Sequence, residues 1–328
     1  MANQRPRRAA LISTLALLGA VTSWQAWAQT GYPNRPIRIV VVTAAGGGGD
    51  IVGRLLAQGL SERLGRQIVV ENRPGAGGII GYETVARSPA DGYTLLLCAP
   101  TLAINPATYK KVPYHATRDF APITQAVISP ILLVVHNSVP VKTARELIAF
   151  AKARPGEVMY GSGGYGTLPH LAIELFSMMA QVRMTHVPYK GVSPGIVDLI
   201  AGHVAVMAPA MISALSHVRA GKLRALGVTS ASRVAVAPDL PTIAEGGLPG
   251  YETVVWYGLL APAGTPQDII ARLHQESVAV LRAQDSKDRI ATDGAEVLAS
   301  TPEEFTAFIN AEIVKWAKVV KAAGIKQE

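Results

Sequence analysis

Short runs of valine, isoleucine and leucine alternate along this chain with segments of helical period, and this alternation constrains the possible folds. The first run covers residues 37–43, and the segment after it places aliphatic residues on one face of a helix: Ile51, Val52, Leu55, Leu56, Leu60 and Leu64. The same pattern predicts strands over residues 67–71, 94–99, 158–160, 184–188 and 204–208, and helices over residues 79–88, 143–153, 168–180 and 194–201. Strands that alternate with helices predict βαβ units, in which parallel sheets are covered by helices.

Two of the predicted turns from a strand into a helix are rich in glycine. The first, residues 43–50, reads TAAGGGGD, and the second, residues 161–167, reads GSGGYGT. Glycine lets a ligand approach the backbone, and the first N–H groups of a helix are unpaired donors at the positive end of its dipole. Ligands of such sheets bind at the carboxyl ends of the strands, where both turns lie. Two such turns facing one cleft predict a site for an anion such as a carboxylate.

The first 28 residues have the pattern of a secretory signal peptide. Three arginines precede an apolar run over residues 9–23, and the small-residue pattern AWA follows at residues 26–28. We therefore exclude residues 1–28 from the fold and predict cleavage before Gln29. An uncleaved N-terminal anchor is the alternative, although the apolar run is short for a membrane span. The arginine pair in this segment leaves Sec and twin-arginine export both open.

The charge balance and the single cysteine argue against several classes of protein. The chain has 31 basic and 23 acidic residues, and removal of the three signal-peptide arginines leaves an excess of five positive charges. This surplus contains no run of lysine or arginine, so it argues against nucleic-acid binding. It suits a protein that handles acidic small molecules, and it equally suits an ordinary basic surface. Cys98 alone can form neither an internal disulfide nor a cysteine metal cluster, so we expect it to be a buried hydrophobe and expect no metal or cofactor.

Two long extended runs, over residues 128–136 and 254–260, indicate how the chain is divided. One run leading outward and one returning would suit a pair of crossovers between two lobes. We therefore predict a first lobe from residues 29–128 and 257–328 and a second lobe from residues 129–256.

Seven short strings occur in the order and at the spacing of one protein family. They are YPNRPI at 32–37, ENRPGAGG at 71–78, ADGYTLL at 90–96, DFAPI at 119–123, VPYKG at 187–191, LPTIAE at 240–245 and WYGL at 256–259. Together they closely resemble the periplasmic solute-binding proteins of tripartite tricarboxylate transporters, the Bug family. The resemblance covers essentially the whole mature chain and depends on the strings jointly.

The resemblance implies an α/β fold, that of the two-lobed periplasmic binding proteins (type II-like). Each lobe would be a mainly parallel sheet flanked by helices, and two extended crossover segments would join the lobes. It also implies a hinge-closing receptor in the periplasm, which captures a small carboxylate and delivers it to the membrane subunits of a transporter. We expect a monomer. A ligand-sensing partner of a signalling receptor shares this architecture and is the alternative.

In that family, the ligand carboxylate is held largely by backbone N–H groups and hydroxyls of two loops, with ordered waters. The matching positions of the first turn are Ala45, Gly46, Gly47, Gly48 and Asp50. Those of the second loop are Gly161, Ser162, Gly163, Gly166, Thr167 and His170. Thr101 and Tyr189 are further candidates, because hydroxyls and aromatic walls suit a small-molecule pocket.

The candidates also have purely structural interpretations. Asp50 either caps its helix or contacts the ligand. His170 either reaches the ligand and its waters or makes a structural hydrogen bond. The first turn has Thr43, Ala44 and Ala45 where the family usually has a proline or an aromatic residue, so we expect a reshaped pocket.

An enzyme is the main rival class, and the motifs argue against it. Counted from Gly46 or Gly47, the dinucleotide pattern G-x-G-x-x-G fails at its third glycine, and the phosphate-loop pattern lacks its lysine after Gly53. Ser162 lacks the nucleophile-elbow pattern because Tyr160 occupies the first glycine position. We therefore expect no catalysis, and saturable binding without turnover would separate a receptor from an enzyme.

Overall fold

The computed structural model describes residues 31–322, so the predicted signal peptide and its cleavage site lie outside the described residues. From Pro36 onward, the described chain contains two β-sheets covered by helices. Within residues 31–322, no helix combines the length and the apolar character that a membrane span requires.

The elements follow the alternation that the sequence predicts. The strands are β1 (Ile37–Val41), β2 (Ile68–Asn72), β3 (Thr94–Cys98), β4 (Phe120–Pro130), β5 (Leu132–His136), β6 (Met159–Ser162), β7 (Thr185–Pro188), β8 (Val206–Met207), β9 (Leu223–Val228), β10 (Val254–Pro262) and β11 (Glu296–Val297). The α-helices are α1 (Gly48–Leu64), α2 (Ile79–Ala86), α3 (Thr101–Thr108), α4 (Ala144–Lys152), α5 (Leu168–Ala180), α6 (Val192–Ala201), α7 (Met211–Arg219), α8 (Gln267–Arg282), α9 (Gln284–Thr292) and α10 (Pro302–Ala322). Every strand and helix that the alternation predicts is present, within a few residues at each end.

Both sheets are mixed. The first has the strand order β11-β4-β10-β3-β1-β2, in which β2, β1 and β3 are parallel and the other pairings are antiparallel. The second has the order β7-β6-β8-β5-β9, in which β7, β6 and β8 are parallel and β5 is antiparallel to both of its neighbours. The parallel half of each sheet therefore matches the expected mainly parallel arrangement. The other half is antiparallel because one crossover strand in each sheet, β10 in the first and β5 in the second, runs opposite to both of its neighbours.

Strand β3 is buried along its whole length, which explains its mainly apolar sequence. All five residues of β3 are buried, and Cys98 at its end is inaccessible to solvent, as predicted. Burial raises the pKa of the Cys98 thiol well above its usual value, so this cysteine is an unreactive part of the core. The carboxyl ends of β1, β3 and β6 lead into α1, α3 and α5, which places three turns at the same edges of the sheets.

The chain changes sheet at Ile131, between β4 and β5, and returns between β9 and β10. The lobe boundaries expected at 128/129 and 256/257 fall inside β4 and β10. Thr229 joins the two crossovers: its Oγ1 accepts from the Ile131 N–H (3.1 Å) and donates to the Thr253 carbonyl (2.5 Å). Its N–H donates to the Ile131 carbonyl at 3.0 Å, and its carbonyl accepts from the Thr253 N–H at 3.0 Å. One buried threonine therefore ties together the segments that any hinge motion must bend.

We expect Thr229→Val to destabilise the protein by about 1–3 kcal/mol, because valine keeps the shape but leaves the buried Ile131 N–H unpaired. Chemical denaturation of both proteins measures the difference. Ser277→Ala is the control, because the Ser277 hydroxyl is buried without a partner in the described structure, and its loss should be neutral or stabilising. Equal destabilisation by both substitutions would contradict this role for Thr229.

Candidate functional site

A cavity lies where the loops of the two sheets face each other. From the first sheet and its helices it is lined by Val42, Thr43, Gly47, Gly48, Pro74, Gly75, Gly77, Gly78, Ala99, Pro100, Thr101, Val255 and Tyr257. From the second it is lined by Gly163, Thr167, Leu168, Pro169, Gly191, Val192, Ala210 and Ser213, with Ile131 at the crossover. None of these lining residues is Lys, Arg, His, Asp or Glu. The polar side chains among them are hydroxyls.

Six helices of the described chain begin at this cavity. Their N-cap residues all line it: Gly47 of α1, Gly78 of α2, Pro100 of α3, Thr167 of α5, Gly191 of α6 and Ala210 of α7. None of these six N-cap residues caps its helix with its own side chain, although at α7 the Ile212 N–H donates to Ser129 Oγ at 3.4 Å. By contrast, the N-termini of α4 and α10, which lie elsewhere, are capped by threonine side chains. The unpaired N–H groups at the cavity remain available to a ligand.

The convergence of these N-termini makes the cavity electropositive without any cationic side chain. Each helix N-terminus carries the equivalent of roughly half a positive charge, and the effect is strongest within the first turn. The walls between the N-termini are mainly apolar, which keeps water from screening the dipoles. This combination of backbone donors, hydroxyls and apolar walls suits a small anion with an apolar body.

Asp50 stabilises the first glycine turn through hydrogen bonds to its carboxylate. Its Oδ2 accepts from the Gly46 N–H and from Arg54 Nε, both at 2.9 Å, and its Oδ1 accepts from Asn72 Nδ2 at 3.0 Å. Burial alone would raise the pKa of Asp50, but the hydrogen bonds from Arg54, Gly46 and Asn72 outweigh it, and the pKa is lowered. Gly47 and Gly48 line the cavity, whereas Ala45, Gly46 and Asp50 do not. Asp50 therefore holds the turn in place.

The second loop is held by a serine and two histidines. Ser162 Oγ lies 2.6 Å from His186 Nε2 and accepts from the Gly164 N–H at 3.1 Å. His170 Nδ1 accepts from the Gly166 N–H at 3.2 Å, which is the structural alternative that the sequence left open. Gly163 and Thr167 line the cavity, whereas Gly161, Ser162, Gly166 and His170 lie behind it.

The two histidines are stacked and uncharged. Their ring centroids are 4.1 Å apart, and Tyr160 extends the stack at 4.9 Å from His186. Burial, and to a smaller extent the neighbouring His186, lowers the pKa of His170 to about 3. Burial lowers the pKa of His186 to about 4. A neutral His170 ring keeps the Nδ1 lone pair that accepts from the loop backbone.

Thr101 and Tyr189 have different positions. Thr101 lines the cavity at the start of α3, and its hydroxyl lies 2.8 Å from the hydroxyl of buried Tyr82. Tyr189 does not line the cavity. Its hydroxyl donates to Asp198 Oδ2 at 2.8 Å. Its ring packs behind the second loop, 3.2 Å from the position that a Cβ atom would take on Gly161.

The loops of the two sheets touch. A Cβ atom on Gly191, at the start of α6, would lie 2.5 Å from Ala44 Cβ in the first turn. A Cβ atom on Gly166 would lie 2.8 Å from Thr108 Oγ1 at the end of α3. Small residues on both sides therefore let the loops of the two sheets approach each other at the cavity, and Ala44 takes part where the family resemblance predicts a larger residue.

This geometry can be compared with known proteins. The sequence model described as tripartite tricarboxylate transporter family receptor matches residues 52–325. The chain belongs to this receptor family. The resemblance that the short strings predict is confirmed.

Relatives of the receptor include proteins with solved structures. BugT of Bordetella pertussis is 38% identical over 297 residues, which cover 90% of this chain and 91% of BugT. The structure of R. palustris Rpa4515 with adipate is 37% identical with a TM-score of 0.89, and the match covers 91% of this chain and 100% of that chain. MatC from Rhodopseudomonas palustris with bound malate is 31% identical with a TM-score of 0.85, over 88% of this chain and 100% of that chain. The predicted two-lobed α/β fold is confirmed.

Sequence reasoning missed part of the receptor's cavity. A third glycine turn over residues 74–78 lines it, and Gly75, Gly77 and Gly78 have φ values of 108°, 61° and 87°. The signal was present in the string NRPGAGG, because consecutive glycines indicate backbone that other residues rarely adopt. Ser213 and Tyr257 also line the cavity: no local motif marks Ser213, and the string WYGL, which contains Tyr257, does not show that its side chain faces the cavity.

The histidine stack predicts a pH dependence of stability. In the unfolded chain a histidine titrates near 6.5, whereas His170 and His186 stay neutral in the fold down to about pH 3 and pH 4. Between these values the unfolded chain binds protons that the folded chain does not bind. The free energy of unfolding therefore falls as the pH drops from about 6.5 towards 4.

Thermal melts at several pH values measure this loss in the wild type and in His186→Gln, in which the amide can still pair with Ser162. The variant should lose less stability over the same pH range, whatever its stability at pH 7, because one of the two protons is no longer taken up. A pH dependence as steep as that of the wild type would contradict the assignment.

Proposed function

We propose that this receptor captures a small carboxylate between its two lobes and presents it to the membrane subunits of a tripartite tricarboxylate-type transporter. The observation that carries the proposal is the convergence of six helix N-termini, none capped by its own N-cap side chain, on a cavity lined by no charged side chain. Such a cavity favours an anion and offers it hydrogen-bond donors. The adipate and malate in the structures of two relatives support a carboxylate as the anion.

The carboxylate contacts that we propose come from both lobes. In the first lobe they are the amides of Gly47 and Gly48 with the hydroxyl of Thr101, and in the second lobe they are Gly163 and Thr167. The remaining candidates support these contacts by shaping the two loops: Ala45, Gly46, Asp50, Gly161, Ser162, Gly166, His170 and Tyr189. Hydrogen bonding is complete in this scheme when both lobes donate to one ligand, so binding and closure are coupled.

The proposed function is capture without chemistry. The Ser162 hydroxyl and His186 form a pair that could suggest a nucleophile and its base. Ser162 is fully buried and does not line the cavity, so its hydroxyl cannot reach a ligand there. The pair instead fixes the second loop, which supports a binding role over an enzymatic one.

We further propose that the receptor is a periplasmic monomer, exported with a cleaved signal peptide. The sequence pattern of residues 1–28 supports export, and the family supports the compartment. We propose that the lobes meet at Ile131 and at residues 229–253, where the chain changes sheet.

Calorimetry of residues 29–328 against acetate, succinate, adipate, malate, citrate and benzoate tests the carboxylate proposal. We expect binding of one chemical subset at one site per chain, with affinity in the micromolar range, because a few charge-assisted hydrogen bonds exceed the cost of association. NMR of the bound compound should show no turnover. Binding of nucleotides or uncharged aromatics, with no carboxylate bound, would contradict the proposal.

Gly191→Ala tests the coupling of binding to closure. The new methyl group would collide with Ala44, so we expect the lobes to stay apart and the affinity for the bound carboxylate to fall at least tenfold. Gly221→Ala is the matched control, because Gly221 also has a positive φ but has open space around its Cβ position. Small-angle X-ray scattering should show ligand-induced compaction in the control alone, and compaction of both variants would argue against the proposed closure.

A further inference from the structure

Several hydroxyl groups line the cavity at which α1 begins, and those of Thr43 and Ser213 are buried without a partner in the described structure. Thr43 Oγ1 lies 2.6 Å from the position that a Cβ atom would take on Gly49, and a Cβ atom on Gly48 would collide with the Tyr257 hydroxyl. The same position on Gly48 lies 2.8 Å from Ile212 Cγ2, next to Ser213 in the first turn of α7. The Thr43 and Tyr257 hydroxyls therefore lie at this helix terminus, and α7, which carries Ser213, packs against it through Ile212.

Ser213 is the most informative of these residues. It lines the cavity, is 7% exposed, and its Oγ is buried without a hydrogen-bond partner in the described structure. A helical serine commonly donates to the carbonyl four residues earlier, but the Ser213 hydroxyl makes no such bond to the Pro209 carbonyl. A buried hydroxyl without a partner is costly, so a group that enters the cavity is the natural acceptor.

Tyr257 presents a second hydroxyl to the same cavity, against Gly48. It is 4% exposed, and its pKa is shifted by burial without a contribution from any hydrogen bond. Burial raises the pKa of Tyr257 above its usual value, so the phenol stays neutral and keeps its proton to donate. Ser213 and Tyr257 are therefore both available as donors.

The groups around the α1 N-terminus are complementary to one kind of ligand atom. The amides of the first turn can only donate, and the hydroxyls have protons without acceptors. The cavity is lined by no acid that would accept them. A carboxylate oxygen, which only accepts, satisfies all of these groups together.

We propose that Ser213 and Tyr257 donate hydrogen bonds to the ligand carboxylate held at the α1 N-terminus, one from each lobe. Tyr257 belongs to β10 of the first sheet, whereas Ser213 belongs to α7, which follows β8 of the second sheet. The carboxylate is bonded by both hydroxyls only when the lobes are closed, so the pair determines affinity for the closed form. The inference depends on the proposed function and adds two residues that neither glycine loop contains.

The experiment compares wild type, Ser213→Ala and Tyr257→Phe by calorimetry with adipate, malate, succinate, citrate, acetate and benzoate. Each substitution should weaken binding of the carboxylate probe by about tenfold to a hundredfold, as expected for a lost hydrogen bond to a charged group. Ser277→Ala is the matched control, because Ser277 is a buried helical serine with an unpartnered hydroxyl that does not line the cavity. Its affinity should equal that of the wild type.

The thermal stability of the ligand-free proteins separates binding from folding. Ser213→Ala should melt at or above the wild-type temperature, since the substitution removes a buried hydroxyl that has no partner. A lowered melting temperature with unchanged affinity would overturn the inference and assign Ser213 to the fold.

The two proposals fail in different ways. If the wild type binds a probe and both variants bind it equally well, the inference on Ser213 and Tyr257 is wrong and the proposed function stands. If the wild type binds none of the carboxylates, the proposed function is overturned, and this inference falls with it.

Discussion

The architecture of this receptor depends on helix N-termini that converge on a cavity without charged side chains. A lysine or arginine placed there would have to be buried without a partner whenever the cavity is empty, which is costly. Helix dipoles carry no such cost, because each is part of a helix that its own packing stabilises. The site can therefore be electropositive when empty, and its charge does not depend on pH.

The glycine turns make this convergence possible at close range. Gly47 and Gly48 bring the α1 N-terminus to the cavity surface, and Gly191 lets α6 approach Ala44 across the cleft. The crossovers that join the lobes are tied together by Thr229, close to Ile131 at the cavity wall. Contacts between the lobes and the crossovers that join them therefore lie around one small volume, where a ligand can contact residues of both lobes.

Polar residues beside the turns mostly hold the turns in place. Asp50, Ser162 and His170 each bond to a backbone N–H of their own loop, and Tyr189 bonds to Asp198 behind the second loop. From the sequence alone, the same residues could equally be ligand contacts, because residue type and spacing do not show which way a side chain points. The ligand role and the structural role differ only in whether the side chain points into the cavity or towards its own loop.

The sequence by itself determined the element order and the two main glycine turns, because strand and helix periodicity and turn glycines are encoded within about ten residues. It also determined the family, through the short strings taken jointly. The tertiary structure decided which residues meet at the cavity. The third glycine turn over residues 74–78, Ser213 and Tyr257 lie far apart in the chain and carry no shared local motif. These residues meet because the two mixed sheets pack with their loops facing each other. Contacts across such sequence distances depend on the packing of whole lobes, and no single segment determines them.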